Sequence, residues 1–163
     1  MRVELALPAQ APAGEPVRPV VVDTNVALDL LIFSDPATVP LRQLLAEGRL
    51  DWIATQVMRD ELERVLAYPH IVGRMDYYRV DAAQVLAGFD AQARLVDIAP
   101  RMAYVCKDTD DQKFIDLAAA HRAILLSKDK AVICMRKRLL TLDAHVATAL
   151  VWEVAAEPAS AGA

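Results

Sequence analysis

Sulfur, long apolar runs and surplus positive charge are all scarce in this chain. The two cysteines, Cys106 and Cys134, have neither the spacing of a metal-ligand pair nor that of a disulfide framework, so both read as reduced core thiols. No apolar stretch approaches the ~18 residues of a membrane-spanning helix. The N-terminus also lacks the continuous apolar core of a signal peptide, which makes the cytoplasm the expected compartment. Lysine and arginine number 18 against 22 acids, giving a net charge of −4 and a pI near 5.3. That excludes a protein that grips nucleic acid by bulk positive charge. It leaves room for an enzyme whose acidic pocket is neutralised by metal ions. No internal repeat is visible.

Apolar residues, by contrast, make up 55% of the 163 positions, with a mean hydropathy of +0.24. The length fits one domain with a proper core. The surplus reads as a large core plus a buried partner or self-association surface; a core alone is the competing reading.

Residues 1–17, with Pro8, Pro12 and Pro16 among Ala, Gly and Glu, read as a flexible extension. The folded domain is expected over 18–156, followed by a small-residue tail at 157–163. Short apolar runs at 20–22, 51–54 and 123–126 read as buried strands. Between and after them, helical patterns are expected over 25–33, 40–47, 55–67, 81–95, 111–121, 129–138 and 143–155. Gly48 stops the second helix and Pro69 ends the third, while Thr55 and Asp81 are the expected N-caps. Strands alternating with helices imply an α/β fold with a parallel sheet covered by helices on both faces.

Four acids stand out against this framework. Asp23 and Asp129 each follow a buried strand, at the end of a parallel sheet where ligands bind. Glu61 lies four residues from both Val57 and Val65, at the edge of an apolar stripe. Asp111 shares a stripe with Phe114, Ile115 and Ala118 and faces inward, whereas Asp116 projects to the opposite side and reads as solvated. Each acid also has a plain structural reading. Glu61 fits an amphipathic border, Asp129 fits an N-cap, and either Asp108 or Asp110 would cap the helix after the acidic segment. Together, however, four gathered carboxylates repel one another strongly. A hard divalent cation relieves that repulsion, and all-oxygen ligation suits Mg²⁺ or Mn²⁺.

With these residues the chain resembles the PIN-domain nucleases, and more narrowly the branch described as toxin components of bacterial and archaeal toxin–antitoxin systems. The carriers are VVVDTN at 20–25, DELERVL at 60–66, CKDTDDQKF at 106–114 and LLSKDK at 125–130, within a match over roughly 18–142. The resemblance implies a Rossmann-like three-layer α/β/α sandwich and metal-dependent cleavage of single-stranded RNA. It places the metal acids on Asp23, Glu61, Asp111 and Asp129, a bracing Asn on Asn25, the hydroxyl near the last acid on Ser127 and an accessory acid on Asp108. The partners it implies are an RNA substrate and an antitoxin that covers the acidic pocket; together with the apolar surplus it also points to a homodimer. The apolar helices 25–33 and 40–47 are the expected partner surface. Thr109, Gln112 and Lys128 depart from the family pattern, which bears on loop shape and on any ligand role for position 112.

Lys107, Lys113, Lys128 and Lys130 flank the acids, and Arg136-Lys137-Arg138 forms a short basic run. These are candidate phosphate contacts, with a solvated surface as the plain alternative. A phosphatase or receiver domain also sets an Asp beside Mg²⁺ at a strand end. Such phosphatases carry an Asp-x-Asp pattern, and Asp23 is followed by Thr24 and Asn25. A degenerate PIN-like domain used as a non-catalytic RNA- or protein-binding module is the remaining alternative.

Overall fold

A computed structural model describes residues 2–154. Its centre is β2 (Arg18–Val22), a strand whose last three valines are buried on both faces. Valine favours the pleated, fully covered environment of an inner parallel strand. On one side β2 pairs with β3 (Leu50–Ala54), Val20 opposite Trp52, and β3 pairs with β4 (Ala93–Leu95). On the other side β2 pairs with β5 (Ile124–Leu126), Val22 opposite Leu126, and β5 with β6 (His145–Ala147). The resulting five-stranded sheet has the order β4-β3-β2-β5-β6 and every pairing is parallel.

Helices join the strands. After β2 come α1 (Thr24–Leu31), a 3₁₀ turn at Pro36–Thr38 and α2 (Val39–Ala46). After β3 come α3 (Gln56–Val65), α4 (Pro69–Tyr78) and α5 (Ala82–Gln92). Helix α6 (Gln112–His121) packs over β2 and β5, while α7 (Lys130–Ile133) and α8 (Arg136–Leu140) pack by β6. This is the mostly parallel α/β sandwich expected from the alternating elements. Thr55 caps α3 through its hydroxyl, and Asp81 with Gln84 builds a reciprocal capping box on α5.

Several local expectations give way. The segment 1–17 was expected to be flexible, yet β1 (Glu4–Leu7) pairs in parallel with β7 (Ala149–Trp152), Glu4 opposite Ala149 and Leu7 opposite Trp152. Leu5 and Leu7 pack against the core. The alternating Glu-Leu-Ala-Leu pattern is a strand signal that the neighbouring prolines obscure. Residues 143–155 form no helix over their described part; β6 and β7 occupy it, separated by Thr148. A short apolar run with β-branched Val146, Thr148 and Val151 is ambiguous by periodicity, and pairing decides it: β6 with β5, and β7 with β1. Pro69 does not merely end α3: it takes the first-turn position of α4, where its missing N–H costs nothing. The helix expected over 81–95 yields its last three residues to β4, and the one over 129–138 breaks into α7 and α8.

The apolar sides of α1 and α2, expected to meet a partner, instead fill the core with Val26, Leu28, Leu30, Leu41 and Leu44. Exposed apolar side chains gather at α4, where Tyr68, Val72, Tyr77 and Tyr78 reach solvent. Cys106 is buried as expected, whereas Cys134 is exposed. The tail expected at 157–163 lies outside the described residues, among which no helix is long and apolar enough to cross a membrane.

Candidate metal centre

Chain order reverses between β2 and β5, the position in an open parallel sheet where the connections diverge and leave a crevice. Asp23 leaves β2 and Ser127 leaves β5 at that crevice. Asp23 is 3% exposed and caps α1, accepting from the Asn25 and Val26 amides at 2.9 and 3.2 Å. The Ser127 hydroxyl donates to its other oxygen at 2.6 Å, and in turn accepts from the Asp129 amide at 3.1 Å. Burial raises the Asp23 pKa; the bonds from Ser127, Val26 and Asn25 oppose that rise, and Asp129 adds to it. Asp129 caps α7 by accepting from the Ala131 amide at 2.8 Å, so capping and pocket-lining coexist in one carboxylate.

Asp111 opens α6, but its side chain makes no capping bond. One of its oxygens, Oδ2, is buried without a hydrogen-bond partner. Burial first, and then Asp129, raise its pKa to about 7, with smaller contributions from Asp108 and Asp23. Neither Asp108 nor Asp110 caps α6 as expected; Asp108 accepts from the Asp110 amide at 2.9 Å and so shapes the loop. One carboxylate oxygen from each of Asp108, Asp111 and Asp129 lies within 4.8 Å of the other two.

Asp23, Glu61, Asp111 and Asp129 line one small open pocket of about 110 Å³, with Thr24, Asn25, Val65 and Phe114. Glu61 reaches it from α3. The Thr24 hydroxyl donates to Glu61 at 2.7 Å, and the Lys113 ammonium pairs with its second oxygen. Thr24 was not singled out from the sequence, although its place directly after Asp23 on the first turn of α1 was the available signal. Lys113 and Lys128, two candidate phosphate contacts, are instead tied to Glu61 and Asp29. Asn25 is exposed and touches Asp23 through its backbone amide.

Two further residues escaped the sequence reading. Asp116, expected to be solvated, is only 9% exposed. It accepts from the Met102 amide at 3.0 Å and from the Gln112 side chain at 2.8 Å. Gln112 also accepts from the Cys106 amide at 2.6 Å and donates to the Tyr104 carbonyl at 3.1 Å. Together they pin the irregular loop that delivers Asp108 and Asp111. A polar pair spaced i, i+4 on α6 was the signal for it.

The donor set is all oxygen, carries several negative charges on few atoms and includes an unsatisfied buried oxygen. Bare carboxylates this close are costly without a cation, so these residues fit a hard divalent ion.

A family model described as "PIN domain" matches residues 19–131. No curated protein matches the chain. Among solved structures, a chain of the crystal structure of VapBC2 from Rickettsia felis bound to a DNA fragment from their promoter superposes with a TM-score of 0.55. It is 13% identical, and the alignment covers 79% of this chain and 98% of that one, a likeness of fold. The family match takes in β2 through the start of α7, and with it all of the acids at the crevice: the chain belongs to the PIN-domain family.

Proposed function

We propose that this protein is a divalent-metal-dependent endoribonuclease that hydrolyses phosphodiester bonds of single-stranded RNA, with Mg²⁺ or Mn²⁺ as its ion. The observation that carries the reading is the unsatisfied buried oxygen of Asp111, set among Asp23, Asp108 and Asp129 at the sheet's crevice. Asp111, Asp129 and Asp23 would hold the ion, with Asp108 as an accessory ligand. A bound divalent cation supplies positive charge for the developing charge on phosphate and acidifies the attacking water.

The chain's own side chains set the geometry. Ser127 and the Asn25 and Val26 amides fix the Asp23 carboxylate, which lines the pocket with one acceptor site of Oδ2 still unused. Glu61, oriented by Thr24 and Lys113, is placed to align the water. A role as the toxin of a toxin–antitoxin pair in the cytoplasm, with an antitoxin partner and a homodimeric assembly, completes the proposal. The motif resemblance and the fold shared with a VapBC2 chain support it.

The test is cleavage of end-labelled single-stranded RNA in Mg²⁺, Mn²⁺ or EDTA, by wild type, Asp23→Asn and Asp111→Asn. Cleavage that needs the metal and falls at least a hundredfold in both folded variants is the expected outcome. Equal background cleavage by all three, with metal still bound by the wild type, would sink the catalytic reading. It would leave the non-catalytic binding module in its place.

A further inference from the structure

Helices α7 and α8 hold the densest positive charge in the sequence. Lys130, Arg136, Lys137 and Arg138 fall within nine residues, and no acid occurs between Asp129 and Asp143. All four are exposed. Arg49, Arg59, Arg94, Lys113 and Lys128 each have a carboxylate partner, whereas among the described residues these four have none. Lys130, Arg136 and Lys137 also line an open cavity of about 470 Å³, together with Ile133 and Cys134. That volume is in the range of a small-ligand site, and it combines free cations with an apolar wall.

Position gives the cavity its meaning. Lys130, which lines the cavity, directly follows Asp129, which lines the acidic pocket, so their Cα atoms are about 3.8 Å apart. A chain of net charge −4 with a carboxylate cluster at its centre repels an RNA backbone. Attraction must then come from local cations within roughly a Debye length, about 10 Å, of the strand. The four on α7 and α8 follow Asp129 within nine residues and are the cations this chain offers there, and the apolar wall offers a surface for a sugar or base face.

We propose that this cavity is the groove in which the RNA strand lies next to the cleaved phosphate. Lys130, Arg136 and Lys137 bind its backbone phosphates, while Ile133 and Cys134 contact the adjoining nucleotide. The choice of RNA as occupant rests on the nuclease reading above.

The test uses the full chain in EDTA and a fluorescein-labelled 2′-O-methyl RNA of roughly 12 nucleotides, which is not cleaved. The triple variant Lys130→Gln/Arg136→Gln/Lys137→Gln removes three exposed cations without touching a carboxylate of the pocket. Expected are an affinity at least tenfold weaker and a salt slope lower by roughly 2, from three lost phosphate contacts. The oligonucleotide should also slow alkylation of Cys134 by N-ethylmaleimide several-fold, a signal free of the buried Cys106. Unchanged affinity and unchanged Cys134 reactivity would overturn the proposal. So would equal protection of Cys134 by polyglutamate at matched charge, which would assign the groove to an acidic protein. The two readings fail separately. Wild type that binds here yet cleaves nothing in Mn²⁺ refutes only the nuclease, and a triple variant that binds like wild type refutes only the groove.

Discussion

At Asp111 an inward-facing carboxyl is crowded by Asp129, Asp108 and Asp23, and the consequence is a pH dependence of definite sign. Its pKa is about 7 in the folded protein against 3.8 for an ordinary aspartate. Between those values the native state keeps a proton that the unfolded chain has released, so stability falls as pH rises from about 4 to about 7. In EDTA, the melting temperature of wild type should decline across that window, and Asp111→Asn should flatten the decline, as read by calorimetry at several pH values. An identical slope in both proteins would show that Asp111 is not held protonated. Gln112 leads to a second prediction. Gln112→Ala removes two contacts to the loop bearing Asp108 and Asp111, and a third to Asp116, which itself holds that loop at Met102. The Mn²⁺ affinity, followed by titration calorimetry, should weaken roughly tenfold to a hundredfold, as for other residues that orient ligands. Asp23 and Asp129 were legible from sequence because each lies within three residues of the end of a buried strand, where a cap and a pocket-lining acid coincide. Gln112 and Asp116 were not, because their partners lie in a loop that carries no periodic pattern.

Elements bounded by strong local chemistry were legible too. The caps at Thr55 and Asp81 and the three inner strands follow from residues within a few positions of one another. Strands β1, β4, β6 and β7 are different: each is three or four residues long, and a partner strand elsewhere in the chain settles its conformation. Strand β1 shows how much a short element can contribute. The Thr148 amide donates to the Val3 carbonyl at 2.7 Å and the Glu153 amide to the Leu7 carbonyl at 2.8 Å, beyond the ladder itself. Removing residues 1–8 should therefore cost about 2 kcal/mol, from half-buried Leu5 and Leu7 plus lost hydrogen bonds. For a chain of this size that is a fall of roughly 4–8 °C in Tm. A truncated protein melting within a degree of wild type would show that β1 adds nothing.

For the whole molecule, length and apolar content bounded the answer well: one sheet buries most of the large apolar side chains. The location of the leftover apolar surface was not legible, since α1 and α2 spend theirs on the core, whereas α4 buries Ile71 and Met75 but leaves Val72, Tyr77 and Tyr78 exposed. Tyr77, at 81% exposed, is the extreme case. If the assembly is a homodimer through this face, light scattering will give about twice the 17.9 kDa of one chain, and Val72→Lys/Tyr77→Lys will halve it. A wild-type protein of single-chain mass would remove the dimer from the proposal.

The pairing of β1 with β7 also constrains the order of events during synthesis. The ribosome delivers Glu4 some 145 residues before its partner Ala149, so the first strand must wait, unpaired, while those residues emerge. Every acid of the pocket and all five strands of the central sheet have left by Ala147. Closure of that long loop is thus a late step, slow in the way of non-local contacts and costly in chain entropy. Everything that forms the acidic pocket is available for pairing before β1 can meet its partner.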